Sequence, residues 1–173
     1  MATNTDILRS EGGFGVNTKT IISKDYDLQN VNSFELKNSN FTNASKVNYI
    51  LRKTTTAVSP SSILSLTAGT SFILLPLGSV NFVTAHIVGT NANGSGFYSI
   101  KKESTVTVDA AGDVASVGEL NTIIKDSIPS GENWTIGTYD AGSSRQFSYT
   151  VNQGTAAGTI LWIAHVEVVS ADW

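Results

Sequence analysis

Ten short runs rich in Val, Ile, Thr, Phe and Tyr follow one another between residues 47 and 169, each cut off by a cluster of Gly, Asp, Asn or Ser. They are VNYILR (47–52), SFILL (71–75), VNFVTAHIV (80–88), GFYSIKK (96–102), STVTVD (104–109), DVASV (113–117), LNTII (120–124), WTIGTY (134–139), RQFSYTV (145–151) and TILWIAHVEVV (159–169). β-branched and aromatic residues suit a pleated, half-buried surface, and the residues between the runs favour turns. No stretch of eleven or more residues sustains the i, i+3, i+4, i+7 pattern of a helix; the nearest, GELNTIIKDS (118–127), is short. Strand signals at this spacing predict an all-β chain, an antiparallel β-sandwich or jelly roll with an extended N-terminal segment, and not parallel βαβ units. RQFSYTV shows the alternation plainly: Phe147, Tyr149 and Val151 share one face, Gln146, Ser148 and Thr150 the other. DAAGD (109–113) reads as a hairpin loop.

The first fifty residues differ. Eight of the fourteen asparagines lie there, and the apolar residues come in ones and twos without a sustained period. Such a segment cannot build a core alone, yet it is too apolar for simple disorder. The division predicted is an extended N-terminal anchor or leader at 1–50 and a β-sandwich domain at 51–173.

Composition narrows the function. Charged residues make up 14% of the chain and the net charge is −3, while Ser, Thr and Asn together supply 55 residues. A neutral, polar surface lacks the basic patch that drives nucleic-acid binding, so no DNA or RNA partner is expected. There is no cysteine, hence no disulfide, thiolate metal site or cysteine nucleophile. MATNTDILRS lacks the basic-then-apolar pattern of a secretion signal, and no segment is apolar for long enough to predict membrane insertion.

Motifs for catalysis are weak. His86 and His165 sit inside apolar strands without acidic neighbours at metal-ligand spacing, which reads as structural or interfacial histidine. No G-x-S-x-G elbow accompanies the many serines. The close carboxylate pairs, Asp25 with Asp27 and Asp109 with Asp113, lie among turn formers, where Asp caps backbone N–H groups. GGFG (12–15) lacks the strand, helix and lysine of a phosphate loop. We therefore expect no enzyme activity, cofactor or metal. Phe97 and Tyr98 beside TNANGSG, and Trp134 after SGEN, are the aromatic candidates for stacking on a glycan.

In the closing stretch, alternation puts Trp162, Ala164, Val166 and Val168 on one face, the expected core. Leu161, Ile163, His165, Glu167 and Val169 fall on the other. That face is too apolar for open solvent yet carries two polar groups, a mixture suited to a subunit interface. Trp173 is expected to pack near a neighbouring copy or the leader.

From residue 63 to 169 the chain resembles small virion appendage proteins of tailed bacteriophages, of the fibre head, knob or capsid-decoration type. The likeness rests on LTAGTSFILLPLGSVNFVTAHIVGT, GFYSIKKESTVTVDAAGDVASVG and GTILWIAHVEVV, with GGFGVNTKTIISKDYDLQN resembling the leader by which such proteins attach. The resemblance implies a β-sandwich, usually a homotrimer, held on the virion surface by other capsid or tail proteins and without enzymatic activity. It carries over no catalytic residue. Two readings follow: a structural appendage, or a lectin-like fibre tip recognising a host surface glycan. A third, a polysaccharide-cleaving enzyme, rests only on the turn carboxylates.

Overall fold

The computed structural model describes residues 14–16, 19–22, 33–37, 40–67 and 72–173. The chain divides into two units, Met1–Asn32 and Ser33–Trp173. In the first, β1 (Phe14–Val16) pairs antiparallel with β2 (Lys19–Ile22). Most of the segment read as a leader, with its Asp25 and Asp27, lies outside the described residues.

The second unit is all-β and antiparallel. Its strands are β3 (Ser33–Lys37), β4 (Ala44–Thr55), β5 (Ser61–Ile63), β6 (Ile73–Leu74), β7 (Ser79–Asn91), β8 (Phe97–Val108), β9 (Val114–Ser127), β10 (Thr135–Asp140), β11 (Gln146–Asn152) and β12 (Ile160–Asp172). Six form one sheet in the order β3-β4-β12-β7-β8-β9; the others form a smaller sheet in which β11 pairs with β10, β5 and β6. The run GELNTIIKDS is part of β9, so its Ile and Leu residues follow a strand and not a helix. The loop 109–113 closes the β8–β9 hairpin. Asp109 Oδ1 accepts from Ala111 N at 2.9 Å and Asp113 N at 2.8 Å, the turn-capping role expected of it, and Gly112 supplies the positive φ of 94°.

The closing apolar stretch becomes the centre of the larger sheet. β12 pairs along its length with β4 on one side and β7 on the other. A long apolar strand in an interior position leaves no unpaired backbone to recruit other chains. Trp162, Ala164, Val166 and Val168 point into the core, as the alternation predicts, and meet Phe147, Tyr149 and Val151 from β11 in one buried cluster. Trp162 is its largest fully buried member, only 1% exposed. Its indole Nε1 donates to Thr55 Oγ1 at 2.9 Å, and its ring meets Trp134 edge to face with centroids 5.8 Å apart. Gly89, opposite Trp162 in the register, is what lets the ring lie flat on β7: a Cβ there would fall 2.6 Å from Cε3.

One end of the core is polar and internally satisfied. Ser170 Oγ donates to Asn81 Oδ1 at 2.6 Å, while Asn81 Nδ2 donates to Ser79 Oγ at 2.8 Å and to the Val106 carbonyl at 3.2 Å. Buried polar groups paired in this way avoid the desolvation cost of unmade hydrogen bonds.

Candidate functional site

Three features of the sandwich can carry function: a charged bridge between the sheets, and the two outer faces. The bridge begins with alternation in β8, which sends Ile100, Lys102, Ser104, Val106 and Val108 to the same, inner side. Lys102 is thereby 1% exposed. Its Nζ donates to Glu119 Oε1 at 2.5 Å and Asn121 Oδ1 at 2.7 Å, both on β9. Asn121 Nδ2 also donates to Glu119 Oε1, at 2.7 Å. Thr138 Oγ1 of β10 donates to Glu119 Oε2, so this carboxylate ties the larger sheet to the smaller. Partial burial pushes the Glu119 carboxyl up, but hydrogen bonds from Lys102, Thr138 and Asn121 and the lysine charge outweigh it and bring it down to about 2. At ordinary pH Glu119 is a fixed anion, unsuited to give up a proton as a general acid. Tyr149, opposite Thr138 in the register, is raised by burial and then by the Glu119 charge, so its phenol stays protonated.

Sequence reasoning missed this bridge. The parity of FYSIKKESTVTV does place Lys102 on the core side, a legible signal. Its partner is not legible, because the β8–β9 pairing shifts at Ser99/Ile100 and at Thr105/Val106.

The outer face of the six-stranded sheet collects every residue proposed for the interface except Trp173. Each row runs across strands by register: Thr54, Leu161, Thr90 and Phe97; Arg52, Ile163, Val88 and Ser99; Ile50, His165, His86 and Lys101; Lys46, Val169, Phe82 and Thr105. Phe34 and Leu36 on β3 extend the face opposite Asn48 and Lys46. Leu161, Ile163, Ile50 and Phe82 are each about half exposed. The two histidines are neighbours here, on the outside and not in the core. The charged groups largely cancel: Lys46 meets Glu167 at 2.7 Å and Lys101 meets Glu103 at 3.0 Å. Trp173 is 79% exposed at the end of the chain, its backbone N donating to the Gly78 carbonyl at 3.0 Å.

Of the aromatics proposed for glycan stacking, Phe97 alone keeps substantial exposure, and it lies on this same apolar face. Tyr98 and Trp134 are buried, and Trp134 Nε1 is engaged by Glu132 Oε2 at 2.8 Å. Neither of these rings presents a free face. Their loops are on the surface, but alternation along β8 turns Tyr98 inward, and Trp134, just before β10, packs against Trp162.

The outer face of the smaller sheet is different in kind. A groove of about 640 Å³ is lined by residues of this sheet, among them Ser61, Ile63, Thr135, Gly137, Thr150 and Asn152, together with Lys53 from β4 of the larger sheet. In the register Gly137 lies opposite Thr150, and Thr135 opposite Asn152, which in turn pairs with Ser61. The side-chain hydroxyls of Ser61, Thr135 and Thr150 have no hydrogen-bond partner among the described residues. Gly137 keeps the floor low, since a Cβ there would stand 2.7 Å from Thr150 Oγ1. Two residues along the same face of β10, Tyr139 stacks on Phe72 with centroids 5.3 Å apart and planes 13° from parallel. The sequence hides this groove because its lining comes from four separate stretches of the chain, at 53, 61–65, 135–137 and 150–152.

Among the described residues no group of three or more His, Cys, Asp or Glu is placed to hold a metal ion, and no helix is long and apolar enough to cross a membrane. No protein family and no curated protein matches the sequence. Among solved structures, the tailspike protein gp49 of Acinetobacter baumannii bacteriophage Fri1, a capsular polysaccharide depolymerase, superposes with a TM-score of 0.46 at 16% identity, over 82% of this chain and 20% of its own. The tailspike of A. baumannii phage AM24 gives 0.33 at 11% identity, over 74% and 26%. This chain thus spans 20% of the first protein and 26% of the second. Both are tailspikes and neither is a fibre head, knob or decoration protein. The expectation of a chain without enzyme activity is corrected on this finding: a protein with which it shares structural likeness is described as a depolymerase, and a β-rich fold alone decides nothing about catalysis.

Proposed function

We propose that the chain is a module of a bacteriophage tail appendage on the virion surface that binds a host surface polysaccharide. The observation that carries this reading is the contrast between the two outer faces, one apolar and charge-balanced, the other a groove with unpartnered hydroxyls. Saccharides present dense hydroxyl donors and acceptors with apolar ring faces. Free Ser and Thr hydroxyls, an amide and a nearby aromatic pair match that chemistry. In this reading the groove between Thr135, Gly137 and Thr150 is the contact. Replacing Gly137 with valine raises the floor against Thr150 and is expected to abolish retention of host envelope polysaccharide on the immobilised full chain. Unchanged retention, with the variant's circular dichroism also unchanged, removes the groove as the contact.

The second part of the reading is self-association through the outer face of the six-stranded sheet, as the trimer that the phage resemblance implies. β4, β12, β7 and β8 are 12 or 13 residues long. Four strands about 4.8 Å apart, rising about 3.3 Å per residue, offer roughly 750 Å². Stable interfaces bury about 800 Å² per partner, so the face is of the right size. Ile163→Asp puts a charge in its centre without touching the core. The expected result is a folded monomer by multi-angle light scattering where the parent chain is oligomeric; a monomeric parent, or an intact oligomer in the variant, rejects this interface.

A further inference from the structure

We infer that the groove on the smaller sheet selects an anionic saccharide, one carrying a carboxylate such as a uronic acid, through Lys53. This rests on the glycan-binding reading above and names the class of sugar. Lys53 is the one ionisable residue among those lining the groove, and no Asp or Glu joins it. It has no carboxylate partner among the described residues, unlike Lys46, Lys101 and Lys102, each held by a glutamate. Lys125 is likewise without a carboxylate partner among the described residues, so what singles out Lys53 is its place in the groove.

The surrounding chemistry fits the same ligand. Asn152 Oδ1 is occupied by the Gly154 N–H at 2.7 Å, which leaves Nδ2 to donate into the groove. Lys53 therefore stands with an amide donor and the free hydroxyls of Ser61, Thr135 and Thr150. That set can donate to a carboxylate and, through the hydroxyls, also accept from the sugar's own OH groups. A charge-assisted hydrogen bond from an ammonium is about twice as strong as a neutral one. A neutral sugar would forgo that contact and still have to displace water from Lys53, so discrimination should favour the acid.

The test measures binding of the full chain to an alginate pentasaccharide, a uronate oligomer, and to maltopentaose by isothermal titration calorimetry. The uronate oligomer is expected to bind roughly tenfold tighter. Lys53→Met should remove that advantage and leave the neutral sugar unaffected, whereas Lys125→Met, on β9 at the far edge of the six-stranded sheet from β4, should change neither. Equal affinity for the two sugars, or a Lys53→Met variant that keeps its preference for uronate, overturns the anionic assignment and leaves glycan binding standing. If neither oligomer nor the intact host polysaccharide binds, both readings fall.

Discussion

Replacing Trp162 by alanine is expected to destabilise the Ser33–Trp173 unit by about 4–5 kcal/mol, near the top of the range for truncating a buried aromatic residue. Two features place it there. The ring fills the space that Gly89 leaves open on β7 and meets Trp134 edge to face, so neither flat neighbour can collapse into the void. In addition the indole N–H is the partner of the Thr55 hydroxyl, which is 0% exposed and would be left unpaired. An orphaned buried hydroxyl by itself costs about 1–3 kcal/mol. Urea unfolding followed by far-ultraviolet circular dichroism reads the effect. Leu161→Ala is the internal comparison: one residue earlier and half exposed, it should cost below about 1 kcal/mol in the monomer. Similar losses for the two would mean that β12 is not oriented as described.

The second large effect concerns the bridge between the sheets. Glu119→Leu leaves the Lys102 ammonium buried with Asn121 as its remaining partner. Removing one member of a buried pair costs about 3–5 kcal/mol. The Glu119 side chain is 30% exposed, so water screens part of this, and about 2–3 kcal/mol is expected. Adding Lys102→Met should recover most of the loss, because the uncompensated charge, more than the missing ion pair, is what destabilises. Acid titration gives an independent reading. The Glu119 carboxyl lies at about 2 when folded, against 4.5 ordinarily. Between those values the unfolded chain binds the extra proton, so stability rises with pH there. Its contribution is present above about pH 4.5 and is lost as pH falls through about 2. In Glu119→Leu that part of the acid limb should flatten, and an unchanged acid profile would mean the carboxylate is not held as described.

What was legible in advance follows from local geometry. Successive side chains of an extended backbone point to opposite sides whatever the strand pairs with. The inward set Trp162, Ala164, Val166 and Val168, the outward set Leu161, Ile163 and Val169, and the inward Phe147, Tyr149 and Val151 could all be read from the letters. So could the Asp109 turn, because its carboxylate caps N–H groups two and four residues away. Trp134 and Tyr98 show where such reading stops. Proximity to a polar loop resembles exposure, but burial depends on what the opposite sheet places above the ring, and for Trp134 that is Trp162.

An all-β chain, and the inner or outer side of each well-alternating strand, follow from the letters alone, since period-two patterning and turn chemistry act over a few residues. The tertiary structure decided which strands meet: β12 between β4 and β7, Glu119 beside Lys102 across a register with two shifts, and Ser61, Thr135 and Thr150 side by side on one face. Strand partners are chosen by hydrogen bonding and burial between segments far apart in the chain, and one inserted residue reverses the faces that meet. The apolar assembly face and the hydroxyl-lined groove are products of that choice.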